Sequence, residues 1–214
     1  MMPEDVRKNQ RGEKRRITKD SLSYFWMYYR IPVILAVIFA VIAVSFVRTA
    51  LTQKPAALQV MLLDSHISEG GSQIADGFAS DAGIDQKKYD VTVVTDRILD
   101  GSGSGYQMGS LADLYTEIGN SNLDVCAMTE DDFAKYSDAD AFLDLRDIFT
   151  EEELKQFSGV YTDGSGRVTG VRCDDAPKIQ KSGGYEGTVA YAGILYNSEH
   201  RDEAVRFMRW LLGN

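Results

Sequence analysis

Leu123-Asp124-Val125-Cys126-Ala127-Met128 runs straight into Thr129-Glu130-Asp131-Asp132-Phe133-Ala134-Lys135-Tyr136, and the change of pattern between the two decides the fold class. The first six residues read as a short strand. Thr129 is a helix-capping residue type, and three acidic residues in the turn after it complement the positive end of a helix dipole. A strand that passes directly into a helix is the unit of an α/β sheet. The flanking sequence tells whether the unit repeats.

It does repeat. Upstream, Leu58-Gln59-Val60-Met61-Leu62-Leu63 is a nearly continuous apolar run, as in a strand buried on both faces. Ile74, Ala75, Phe78, Ala79 and Ala82 follow at helical spacing, and Gly83 supplies a stop. Val91-Thr92-Val93-Val94 reads as the next strand, and the glycine-rich 100–105 as a flexible loop. Ser110 is read as the cap of a helix carrying Leu111, Leu114, Tyr115 and Ile118 on one face. Downstream, Leu143-Asp144-Leu145 reads as extended, and Thr150-Glu151-Glu152-Glu153 is a capping box. Val160-Tyr161-Thr162 and 167–172 flank Asp163-Gly164-Ser165-Gly166 as a hairpin. A strand within 188–196 and a last helix, capped by Ser198 and lined by Ala204, Val205, Phe207, Met208, Leu211 and Leu212, complete the series. Strands alternating with helices imply one mainly parallel sheet covered on both faces.

The N-terminal quarter obeys different rules. Residues 31–47, IPVILAVIFAVIAVSFV, carry no charge. At 1.5 Å per residue they span about 26 Å, close to the ~30 Å of a hydrocarbon core. Tyr24-Phe25-Trp26-Met27-Tyr28-Tyr29 precedes them as an aromatic belt, and Pro32 falls in the first turn of the core helix. Residues 1–54 carry +6 and residues 55–214 carry −15. The basic flank is N-terminal, so the positive-inside rule puts the N-terminus in the cytoplasm and the acidic part outside the membrane. The organisation expected is a basic cytoplasmic tail (1–23), a transmembrane helix (24–48), a linker (49–57) and an extracytoplasmic α/β domain (58–214). Small residues at Ala50 and Ala56-Ala57 leave cleavage of the anchor as the alternative. A charge of −15 repels nucleic acid, so no nucleic-acid partner is expected.

The strand-helix run 123–136, followed by Ala141-Phe142-Leu143-Asp144-Leu145, resembles a signature of the extracellular solute-binding proteins of ABC importers, which have the type 2 periplasmic-binding fold. Gly170-Val171-Arg172 is similar to their strand closing the first lobe. Tyr191-Ala192-Gly193-Ile194 through Asn197-Ser198-Glu199-His200-Arg201-Asp202-Glu203-Ala204-Val205-Arg206-Phe207 is similar to the segment that returns from the second lobe. The belt, anchor and first strand also resemble membrane-anchored proteins of clostridial-type bacteria. The departure is as informative as the match. Where the family has a whole second lobe, this chain has only residues 173–187. The resemblance therefore implies a single-lobe relative.

In open α/β sheets, ligands sit beyond the carboxyl ends of the strands. By that rule Ser65, His66, Arg97, Thr129 and Arg172 are expected to converge on a shallow polar surface. The resemblance also brings the strands of Cys126 and Cys173 near each other. That leaves two readings, an extracytoplasmic disulfide or two buried thiols. His66 and His200 have no metal-ligand spacing, and His200 reads as exposed in the first turn of the last helix. The chain has no G-x-S-x-G, P-loop or dinucleotide fingerprint. No metal, cofactor or catalysis is expected. The functional expectation is a membrane-tethered binding or interaction domain for a small solute or another envelope protein. The alternative is a structural accessory subunit of an envelope complex with no small-molecule ligand.

Overall fold

The computed structural model describes residues 19–52, 54–67, 71–185 and 187–213, and within the first stretch the side chains of 31–46 and 48. The chain divides into two units, Met1–Gln53 and Lys54–Asn214.

In the first unit, helix α1 spans Lys19–Thr52 and carries Pro32 in its interior. The sequence puts Pro32 in the first turn; the structure starts the helix thirteen residues earlier. The apolar side chains Ile31, Leu35, Phe39, Ile42 and Phe46 are exposed. Residues 31–46 amount to about 24 Å of helix at 1.5 Å per residue. Among the described residues, no helix is long and apolar enough to cross a membrane. The tail 1–18 lies outside the described residues, as do the side chains of the aromatic belt.

The second unit is one six-stranded mixed sheet in the order β2-β1-β3-β6-β5-β4. Its strands are β1 (Ala56–Leu62), β2 (Asp90–Val94), β3 (Val125–Thr129), β4 (Val160–Thr162), β5 (Val168–Arg172) and β6 (Ala190–Ile194). The helices are α2 (Gly71–Ala82), α3 (Gly105–Gly119), α4 (Glu130–Asp138), α5 (Glu151–Gln156), α6 (Pro177–Lys181) and α7 (Arg201–Leu212). Leu58, Val60, Leu62, Val125 and Ala127 face a core shared with α2 and α7. Met61, Leu63, Cys126 and Met128 face the other way, into a core shared with α3 and α4. This alternation is what strands covered on both faces require.

The expectation of a mainly parallel sheet is corrected. Two pairings, β1 with β2 and β1 with β3, are parallel. The other three, β3 with β6, β5 with β6 and β4 with β5, are antiparallel. Connection length explains the difference. The crossovers from β1 to β2 and from β2 to β3 contain helices of 12 and 15 residues, long enough to carry the chain back along the sheet. Among the described residues between β5 and β6 the one helix, α6, has five residues. It spans about 7.5 Å, against the roughly 17 Å of a five-residue strand. The chain re-enters the sheet at the end where it left, so β6 runs antiparallel.

Local chemistry sets several boundaries. Thr150 and Glu153 form the reciprocal capping box the sequence announces. The Asp163 carboxylate accepts Ser165 N and Arg167 N, each at 2.9 Å, and so closes the β4–β5 turn. Two expected caps are corrected. Ser104, not Ser110, caps α3, its hydroxyl accepting Gln107 N; Ser110 is buried inside the helix. Ser198 does not cap the last helix. His200 holds that position, and Ser198 donates to Asp124 at 2.7 Å. The segment 143–145 forms no strand; Phe142 makes an isolated bridge to Leu195 and a 3-10 turn covers Leu145–Asp147.

Two strand glycines let aromatic rings lie against the sheet. The rings of Phe133 and Phe142 stack with centroids 4.5 Å apart. A Cβ at Gly193 would come within 2.7 Å of Phe142 Cδ1 and of the Thr169 carbonyl oxygen, and one at Gly170 within 2.5 Å of Phe133 Cζ. The Gly193→Ala change therefore forces the sheet or the rings to shift, an overpacking cost of about 1–3 kcal/mol. A urea titration of the variant is expected to show a lower midpoint with an unchanged slope. A wild-type midpoint would show that the close approach constrains nothing.

Candidate functional site

The parallel half of the sheet sends the carboxyl ends of β1, β2 and β3 to one edge. A cleft of about 540 Å³ lies there. Its walls come from the β1 turn (Asp64, Ser65, His66), the loop after β2 (Ile98, Leu99, Asp100, Gly101), the β3–α4 junction (Thr129, Asp131, Asp132, Lys135) and Thr188 ahead of β6. The volume lies within the range of small-molecule sites.

The β1 turn is built by hydrogen bonds to its neighbours. Leu63 N donates to the Ala127 carbonyl at 2.8 Å, and Asp64 N to the Arg97 carbonyl at 2.9 Å. Asp64 has φ 54°, in the left-handed region that aspartate tolerates better than most residues. This conformation lets its carboxylate accept Leu99 N at 2.6 Å, pinning the loop after β2. The Ser65 hydroxyl lies 3.1 Å from the carbonyl oxygens of both Leu62 and Thr95. Its proton serves the backbone, and its lone pairs remain as acceptors.

Carboxylates dominate the electrostatics. Burial raises the pKa of Asp64, and the charges of Asp132 and Asp100 push the same way; the Leu99 N–H and His66 act against them. Asp132 accepts Lys135 Nζ at 2.7 Å. The Thr129 hydroxyl reaches Asp132 only at 3.5 Å, and it makes no capping bond to α4. The cleft is thus rich in acceptors, with one cation held at its rim.

Of the residues singled out from sequence, Ser65, His66 and Thr129 come together in this cleft. The two arginines do not line it. Arg97 is tied through Nε to Asp113 at 2.8 Å and through Nη1 to Asp96 at 2.6 Å. Only its backbone carbonyl serves the cleft, as the acceptor for Asp64 N. Arg172 forms a two-pronged pair with Asp174, both contacts at 2.8 Å. Arg97 follows β2 and Arg172 is the last residue of β5, but aspartates claim both guanidinium groups. The acidic residues Asp64, Asp100, Asp131 and Asp132 were missed as site residues. Asp131 and Asp132 read as helix-dipole partners, and their position immediately after β3 was the available signal.

A second polar cluster lies at the other end of β3. Asp124 is fully buried and accepts Gln59 N at 2.8 Å, Ser198 Oγ at 2.7 Å and His200 N at 3.2 Å, with His200 Nδ1 also at 3.2 Å. His200 is therefore a partner in this cluster and not the exposed side chain its position suggested. Cys126 and Cys173 are free, buried thiols, one in each core, and no bridge joins them. Burial pushes both thiols well above their ordinary pKa. Among the described residues, no group of three or more His, Cys, Asp or Glu side chains is placed to hold a metal ion.

The raised pKa of Asp64 has a signed consequence. Below the ordinary carboxylate range the group is protonated whether the chain is folded or not, and its placement carries no charge penalty. As pH rises through the unfolded value and then the higher folded value, the stability it contributes is lost. Asp64→Asn keeps an acceptor for Leu99 N and removes the titration. The variant is expected to melt above wild type at about pH 7 and with it at about pH 3. A lower melting temperature for the variant at neutral pH would contradict this. No protein-family model, no curated protein and no solved structure matches the chain, so the functional assignment rests on its own residues and their geometry.

Proposed function

We propose that the chain is a membrane-tethered, extracytoplasmic binding domain that holds a small polar solute in the cleft at the strand ends. The observation that carries the reading is the meeting of Ser65, His66 and Thr129 with four aspartates in one 540 Å³ cleft at the carboxyl ends of three parallel strands. An acceptor-rich wall favours a solute that presents hydroxyl or ammonium donors. The tether is the uncharged run of α1, extended by the aromatic residues before it, with the basic tail on the cytoplasmic side. The resemblance to solute-binding proteins is carried by the sequence segments alone; β6, which comes from late in the chain and inserts between β3 and β5, is compatible with a segment that returns to the first lobe. The domain works by binding and not by catalysis, with no cofactor. The alternative, an accessory subunit of an envelope complex, is favoured by a different observation, the exposed apolar side chains of α3.

A thermal-shift screen of the chain against sugars, amino acids and polyamines tests the reading. A ligand at a hundred times its dissociation constant adds about 2.7 kcal/mol, which raises the melting temperature by several degrees. The shift is expected to fall at least by half in Thr129→Val and in Asp131→Asn, which change the wall and not the core. A full shift in both variants would place binding elsewhere. No shift with any member of the panel would favour the accessory-subunit alternative.

A further inference from the structure

The sheet has a second hollow, at the opposite end from the cleft. It has a volume of about 570 Å³ and is formed by the start of β1, the loop ahead of β2 and the first turns of α7. The seven residues of β1 separate the two by about 23 Å. Their chemistry differs. The cleft sets four aspartates against Lys135. The second hollow has Lys88 and Arg206 in its walls, with Asp85 and Glu203 beside them.

Those cations are loosely held. Lys88 reaches Asp85 only at 3.7 Å, and Arg206 reaches Glu203 only at 3.8 Å. Long, exposed pairs of this kind are weak, so both cations stay open to a further anion. Arg206 Nη2 donates to the Ala82 carbonyl at 2.7 Å, which keeps its guanidinium at the hollow. Lys54 lies close by, its Nζ donating to the Gln86 carbonyl at 2.6 Å. The ring of His200 is held through Nδ1 by the buried Asp124, which leaves Nε2 for the hollow. Tyr89 is 47% exposed at the same place. An aromatic ring with a polar tip is the side chain that membrane interfaces favour.

We propose that this end of the domain rests on the bilayer and takes a phospholipid phosphate group into the hollow. The inference rests on the membrane tether of the proposed function. The chain itself says what covers the hollow. Helix α1 ends at Thr52 and β1 begins at Ala56, one of the residues lining the hollow. Four residues reach at most ~14 Å. Ala56 therefore stays within that distance of the end of α1, a gap too narrow for a folded partner of roughly 30 Å. The donors suit the ligand. A guanidinium and an ammonium both donate to phosphate oxygens, and a protonated histidine ring donates from both nitrogens. The aspartates of the cleft are repelled by the same anionic surface. The cleft is thereby turned away from the membrane and left open to solute.

Fluorescence quenching in the full chain, reconstituted into vesicles of phosphatidylcholine and phosphatidylglycerol, tests this. Cys126 and Cys173 are fully buried, so one exposed engineered cysteine takes the fluorophore. Gln86→Cys places it beside the hollow, and Ser102→Cys places it at the cleft end. A lipid spin-labelled in its headgroup is expected to quench the label at 86 at least twofold more than the label at 102. Adding Lys88→Gln and Arg206→Gln, both at exposed positions, is expected to lower quenching at 86 by half or more, with the melting temperature unchanged. Equal quenching at 86 and 102, in a chain that sediments with the vesicles, would overturn the proposal and leave the tether standing. A chain that stays in the supernatant would remove the tether and the proposal with it. Undiminished quenching at 86 in the doubly neutralised variant would overturn the proposal too. So would inorganic phosphate that raises the melting temperature while the label at 86 stays unquenched, since the hollow would then hold free phosphate and not a headgroup.

Discussion

The Asp124 carboxylate has no exposure to solvent and joins three parts of the chain that are far apart in sequence. Burying a charge is expensive unless donors surround it. Here the backbone of β1 supplies one through Gln59, and the turn before α7 supplies others through Ser198 and the backbone and ring of His200. Removing any one of these would leave a buried acceptor short of its partner, so the arrangement holds only when β1, β3 and the start of α7 are all in place. The Leu195 amide adds to it by donating to the Asp124 carbonyl at 2.9 Å. This ties the end of β6 to the start of β3. The antiparallel insertion of β6, the feature that most distinguishes this sheet from a simple βαβ series, is thus fixed at its far end by one residue.

That constraint also shows how far the sequence could be read. Elements that rest on neighbours in the chain were legible: the apolar run of β1, the Thr150–Glu153 box, the Asp163 turn and the apolar stripe of α7. Misreadings arose where a side chain served a distant partner. Ser198 looks like a helix cap because its type and position suit one, but Asp124, 74 residues earlier, takes its hydroxyl. Ser110 looks like a cap for the same reason, yet it receives Ile98 N from the loop before the helix. The direction of β6 depends on the shortness of α6, which lies in a stretch the sequence reading left without structure. Of the residues named from the loops, Ser65, His66 and Thr129 meet in one cleft, while the two arginines named with them are held by neighbouring aspartates. Nothing local to Arg97 or Arg172 in the strand pattern announces that Asp113 or Asp174 will occupy it.

The two halves of the sheet have different consequences. The parallel half gathers three strand ends and gives the cleft its depth. In the antiparallel half, β5, α6 and β6 return the chain to the sheet through a short connection. The cleft has walls on one side of the sheet edge only, so a solute held there as proposed would depend on polar contacts more than on enclosure. The crowding of Asp64, Asp100 and Asp132 is consistent with that need. Burial raises the Asp64 pKa and the charges of Asp132 and Asp100 act in the same direction, so the carboxylates of the cleft oppose one another's ionisation.

The loop after β2 connects this cleft to α3. Leu99 N is held by Asp64 on the cleft side, and Ile98 N is held by Ser110 on the helix side. Adjacent amides of one loop are therefore fixed to two different elements. Leu114, with the partly buried Leu111 and Ile118, packs α3 on the core, and these bonds and the Arg97–Asp113 pair add polar links to the same loop. Polar contacts of this kind are directional and tolerate little displacement. One residue, Ile98, separates the two bonded amides, so a displacement at the cleft end strains the bond to the helix. The placement of the cleft and of α3 on either side of this loop follows from the β2–α3 crossover itself, in which the residues closing the strand end also position the helix that follows.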